Sequence, residues 1–184
     1  QSKDCEFGYR DSVFKRQVKG QFAILNVTYR LKKIPVFNIS YGAIEKELER
    51  MNTKELSIKA ISDAVIYIRT SKLPSPDVIG NAGSFFKNPM IDQNELRELE
   101  KIVNNIPYYT SGKNSFKIPA GWLIEQCGWK GYRNGDAGCY DKQALVLVNY
   151  GNAGGQEIYD LSEQIKISVN EKFGIELERE VNIV

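Results

Sequence analysis

Lys72-Leu-Pro-Ser-Pro-Asp-Val-Ile-Gly-Asn-Ala-Gly-Ser-Phe-Phe-Lys-Asn-Pro89 is the stretch from which the rest of the chain can be read. Pro74 and Pro76 stiffen the backbone and deny it a helix. Gly80 and Gly83 permit turns that other residues resist. Ser84 therefore falls on a sharply bent backbone, and Phe85 and Phe86 can anchor that bend to a core. Lys87 and Asn88 add an ammonium and an amide, and Pro89 closes the segment. The reading is a rigid loop that presents a hydroxyl, a cation and an amide. On residue types alone Ser84 is a turn residue capping a peptide group, and a catalytic hydroxyl is the rarer case.

Outward from this stretch the chain reads as alternating helices and few strands. Upstream, Phe7 to Lys15 is a short helix or structured loop. Phe22 to Leu31 has the two-residue period of a half-buried strand, with Leu25, Val27, Tyr29 and Leu31 on one face. Pro35 interrupts, and Val36 to Ile39 reads as a second short strand. Tyr41 to Met51 predicts an exposed helix. Ser57 to Arg69 predicts a packed one, with Ile58, Ile61, Val65 and Ile68 as its stripe, ending before Pro74.

Downstream, Asp92 caps a helix with Glu95 three residues on. Leu96, Leu99, Ile102 and Val103 form its buried stripe, and Pro107 stops it. Ala120 to Cys127 is a short helix, and Gly128 to Tyr140 reads as a loop. The apolar run Ala144 to Val148 suits a buried central strand. Gly151-Asn-Ala-Gly-Gly155 lacks the strand–GxGxxG–helix order of a dinucleotide fold and simply enters the helix Gln156 to Phe173. Gly174 ends that helix. Ile175 to Ile183 predicts a final strand, with Glu176, Glu178 and Glu180 sharing one face. The fold class is α+β, mixed helices and short sheets.

Composition narrows the function. The chain has 184 residues, enough for a real core, and a net charge of +2, too small to argue for nucleic acid. No apolar run is long enough to span a bilayer. Cys5, Cys127 and Cys139 are scattered and odd in number, which suits reduced thiols in a cytoplasm. With no histidine and no CxxC spacing, a zinc site is not expected, and proton transfer falls to Ser, Tyr, Lys, Cys or a carboxylate. Because it starts at Gln1 and enters a strong motif within ten residues, the chain reads as a piece of something larger.

Gly80-Asn-Ala-Gly-Ser-Phe-Phe-Lys-Asn-Pro89 resembles the signature of the UDP-N-acetylenolpyruvoylglucosamine reductases, flavoenzymes of peptidoglycan synthesis. Phe7-Gly-Tyr-Arg-Asp-Ser-Val-Phe-Lys15, Ala120-Gly-Trp-Leu-Ile-Glu-Gln-Cys127, Gln143-Ala-Leu-Val-Leu-Val-Asn149 and Leu177-Glu-Arg-Glu-Val181 match further motifs, in the family's order. The resemblance covers nearly the whole chain but not the family's amino-terminal part. It implies FAD as cofactor, NADPH as cosubstrate and UDP-N-acetylglucosamine enolpyruvate as substrate. Ser84 then lies at the proton-donor position, Arg10 at that of the active-site arginine and Glu180 at that of the active-site glutamate. A guanidinium can grip a carboxylate bidentately. A protonated glutamate can donate to a developing enolate. Spacing alone does not choose between Glu178 and Glu180; the motif chooses Glu180.

By the same resemblance Tyr9, Tyr41, Lys72, Asn88, Tyr109, Lys130 and Gln143 are the substrate-binding positions, with Tyr41 on a loop that closes over the substrate. Residues 1–73 would finish the flavin domain, 74–174 would be the substrate domain, and 175–184 would return towards the flavin. The main FAD-binding loops would lie upstream, so no cofactor-binding residue is assigned. Two alternatives stand beside the enzyme reading: a UDP-sugar-binding module without catalysis, and a structural relative.

Overall fold

A bulge in the first strand sets the geometry of the larger part of the molecule. The computed structural model describes residues 2–40 and 42–184. It divides into two compact units, Gln1–Val65 and Ile66–Val184.

In the second unit, β1 (Gly80–Ser84) pairs antiparallel with β7 (Val146–Asn149), and β7 with β6 (Ala137–Cys139) and then β5 (Arg133–Asn134). Asn81 faces Val148 while Ser84 faces Val146, so β1 spends one extra residue there. Gly83 makes this possible with φ of +75°, a conformation that costs other residues strain. The expected loop is therefore a bulged edge strand, bent just before Ser84. β2 (Met90–Asp92), β4 (Ser115–Lys117) and β3 (Tyr109–Thr110) form a second, three-stranded sheet.

Helix α3 (Gln93–Ile102) starts as expected: the Asp92 carboxylate accepts from the Asn94 and Glu95 amides, and the Glu95 side chain accepts from the Asp92 amide. Leu96 and Leu99 are buried, whereas Ile102, the last residue of the helix, is exposed. Helix α4 (Ala120–Gln126) and helix α5 (Gly155–Phe173) pack together, and α5 covers β6 and β7. Gly174 ends α5 in the left-handed region at φ of +68°. Phe85, Phe86, Leu123, Leu147, Ile165 and Leu177 share one core with the rest of these buried faces.

Two expectations for this unit are corrected. Gly128–Tyr140 is not a plain loop, for Gly135-Asp136 turns the hairpin of β5 and β6. Its strands are only two and three residues long, so no apolar alternation advertised them. Ile175–Ile183 is not a full strand either. It makes one bridge, Phe86 to Arg179, flanked by two backbone bonds.

The first unit holds helix α1 (Ile44–Arg50) and the first half of helix α2 (Ile58–Lys72). On α2 only Ala64 is fully buried; Ile61, Val65 and Ile68 are half-buried, and Ile58 is exposed. The strands expected at Phe22–Leu31 and Val36–Ile39 do not form, and Leu25 is 90% exposed. Alternation prepares a strand, but a strand exists only once another pairs with it, and no described segment does so. Among the described residues no helix is long and apolar enough to cross a membrane.

Candidate functional site

Four of the five sequence motifs meet at Gly80–Pro89. The Phe85 amide donates to the Leu145 carbonyl at 2.8 Å, which joins the strand motif Gln143–Asn149. The Glu180 amide donates to the Phe85 carbonyl at 2.9 Å, and the Lys87 amide to the Glu178 carbonyl at 2.8 Å, which joins the motif Leu177–Val181. The Asn88 Oδ1 accepts from the Ala120 amide at 2.8 Å, which joins the motif Ala120–Cys127. Local propensity built each piece, and these long-range bonds assemble them.

Ser84 and Glu180 thus flank Phe85, one through the chain and the other through a backbone bond. Ser84 is exposed and lines a hollow of about 620 Å³ with Arg69, Thr70, Pro74 and Pro76. The Lys87 ammonium is paired with the Glu178 carboxylate. This pairing separates the two glutamates that spacing left equivalent, because Glu178 answers Lys87.

The remaining positions in this unit are distributed among several elements. Lys72 is exposed in the last turn of α2. Tyr109 is exposed on β3, with the Lys117 ammonium 5.6 Å from its ring centre. Lys130 pairs with Glu125 at 2.8 Å. The Gln143 Oε1 accepts from the Leu145 amide at 3.3 Å and occupies the space over Gly121, where a Cβ would stand 2.8 Å from it. That contact explains a glycine between Ala120 and Trp122.

Arg10 and Tyr9 belong to the first unit. Arg10 has φ of +54°, an uncommon backbone for a side-chain-bearing residue, and its guanidinium lies 5.8 Å from the Tyr9 ring centre. Its neighbour Asp11 is paired with Arg16 at 3.0 Å. Tyr41 lies outside the described residues.

The glycine-rich segment before α5 has its amides already engaged. Those of Gly151 and Ala153 donate to the Asn149 Oδ1, that of Asn152 to the Asp136 carboxylate, and that of Gly154 to the Glu157 carboxylate. The Asn152 amide, with Arg133 assisting, holds the Asp136 carboxyl below its usual range. Carboxylates stand where a pyrophosphate would need free amides, so this segment does not fit a dinucleotide.

Arg179 was missed. Period-two alternation puts it on the apolar face of its segment, with Ile175 and Leu177. A charge on an apolar face requires a buried partner, and that was the available signal.

Fold and site together define an α+β domain that gathers polar and proton-bearing groups along one bulged edge strand. The family model described as UDP-N-acetylenolpyruvoylglucosamine reductase, C-terminal domain, matches residues 74–184, and the chain belongs to this family. A protein of Amoebophilus asiaticus named UDP-N-acetylenolpyruvoylglucosamine reductase is 55% identical over 180 residues, covering 98% of this chain and 53% of its own length. Proteins of the same name from Flavobacterium johnsoniae and Porphyromonas gingivalis are 50% and 46% identical, over 98% and 100% of this chain and 54% of their own lengths. The chain spans about half the length of the curated relatives it matches.

Proposed function

We propose that the complete protein reduces UDP-N-acetylglucosamine enolpyruvate to UDP-N-acetylmuramate, with FAD as cofactor and NADPH as cosubstrate. When bound, the flavin supplies a hydride drawn from NADPH to the enolpyruvyl double bond. Ser84 delivers the proton to the neighbouring carbon, next to the substrate carboxylate. Glu180, in its protonated form, donates a hydrogen bond where enolate charge develops. Arg10 holds the substrate carboxylate, staying charged throughout. Tyr9, Tyr41, Lys72, Asn88, Tyr109, Lys130 and Gln143 hold the diphosphate and uridine.

The observation that carries this reading is the bond from the Glu180 amide to the Phe85 carbonyl. It supports an acid and a carboxyl acting on one small substrate group, because it ties the two motif positions to one strand pair. The amides of the glycine-rich segment before α5 are engaged, so the holder of the FAD pyrophosphate is sought in the remainder of the complete protein. The three cysteines are free, which agrees with a reducing compartment and a cytoplasmic location.

Ser84→Ala in the complete protein tests the proposal. Stopped-flow absorbance should show flavin reduction by NADPH near normal. Reoxidation by the enolpyruvyl substrate should fall by about a hundred- to ten-thousand-fold, the usual worth of a positioned acid. Unchanged reoxidation would make Ser84 a turn residue. The engaged amides before α5 speak against a flavin site in this chain on its own, which leaves a UDP-sugar-binding module without turnover as the second reading.

A further inference from the structure

We infer that Arg179 is a positioning residue that fixes the register of the carboxy-terminal segment, so that Glu180 rather than Glu178 or Glu176 is the glutamate bonded to Phe85, the residue after Ser84. The inference rests on the role proposed above for Glu180.

The segment needs such a device. It carries glutamates at two-residue spacing, so a slip of two residues would present the wrong carboxylate on the same face. Its backbone pairing is one bridge with two flanking bonds, too little ladder to specify register firmly.

Arg179 supplies what the ladder lacks. Its Nε donates to the Ser162 Oγ at 2.9 Å, and its terminal nitrogen pairs with the Glu163 carboxylate. The guanidinium carbon lies 4.4 Å from the Tyr159 ring centre. Ser162 is fully buried on α5, and its own hydroxyl donates to the Tyr159 carbonyl at 2.6 Å. The hydroxyl proton is thereby spent, which leaves the oxygen lone pairs for Arg179. The Arg179 side chain is 15% exposed and that of Glu163 38%, so the charge-assisted bond to Ser162 is buried and the ion pair is partly solvated. Successive side chains of an extended chain point to opposite faces, so a clamp at 179 dictates the facing of 180. On the other face, Lys87 pairing with Glu178 sets the same register.

The test uses the complete protein. Arg179→Met keeps the stem over Tyr159 and removes the guanidinium; Ser162→Ala is a milder second variant; Arg179→Lys can satisfy one partner but not both. Arg179→Met should raise amide hydrogen exchange at Glu180 and Lys87 by roughly tenfold or more, and slow flavin reoxidation by the enolpyruvyl substrate to a similar degree. Flavin reduction by NADPH should be unchanged. Arg179→Lys should recover part of both losses, and Ser162→Ala should show smaller effects of the same kind.

If Arg179→Met and Ser162→Ala both keep wild-type exchange and reoxidation while Glu180→Gln slows reoxidation, the inference is wrong and the reading of Glu180 survives. If Glu180→Gln reoxidises at the wild-type rate, that reading falls and the inference falls with it. Faster exchange with normal reoxidation in Arg179→Met overturns the positioning role and leaves a structural clamp.

Discussion

The Asn88 side chain caps a helix that begins 32 positions later: its Oδ1 accepts from the Ala120 amide at 2.8 Å. Pro119, at the N-cap of α4, has no side-chain acceptor of its own. Asn88→Ala should therefore destabilise the fold by about 1 kcal/mol, the ordinary worth of a lost cap. Asn88→Asp keeps the acceptor and should lose less. Urea unfolding of both variants checks this, and equal stability of Asn88→Ala and wild type would deny the cap.

A Cβ on Gly121 would meet the Gln143 Oε1 at 2.8 Å. The obstacle is the end of a flexible side chain, so Gly121→Ala should cost about 1 kcal/mol, the low end of what overpacking costs. The amide of Gln143 must move, however, and give up its bond to the Leu145 amide. In the complete protein the proposed substrate role of Gln143 then predicts a raised KM with little change in kcat. A raised melting cost with unchanged KM would count against that role.

The Glu163 carboxyl is held below its ordinary value of 4.5, chiefly by its hydrogen bond from Arg179. A carboxylate with a depressed folded pKa adds stability that is fully present above its unfolded pKa. That stability is lost as pH falls through the lower folded value. Melting curves of wild type and Glu163→Gln should therefore differ at neutral pH and converge below the glutamate range. A difference that persists or grows in acid would show that the ion pair is not its source.

The 184-residue chain by itself should bind FAD weakly and show no NADPH-dependent turnover. The amides that could have received a pyrophosphate are taken by Asn149, Asp136 and Glu157. Purification of this chain with stoichiometric, tightly held flavin would contradict the expectation.

Local chemistry alone determined a good part of the second unit. Asp92 with Glu95, the stripe of α5 and the glycine at 174 each act within a few residues and formed as read, and the apolar run Ala144–Val148 became β7 from Val146 on. The bend before Ser84 was equally legible, since Gly83 is the residue that tolerates it. Alternation in Phe22–Leu31 was legible too, yet it yielded no strand, because pairing is not a property of one segment.

Tertiary structure decided what spacing left open. Lys87 chose Glu178 across 91 positions, Asn88 went to Ala120, and Arg179 reached back to Ser162 on α5. None of these follows from a two- or 3.6-residue period. A period states which face a side chain takes, whereas only the packed chain states what stands opposite that face.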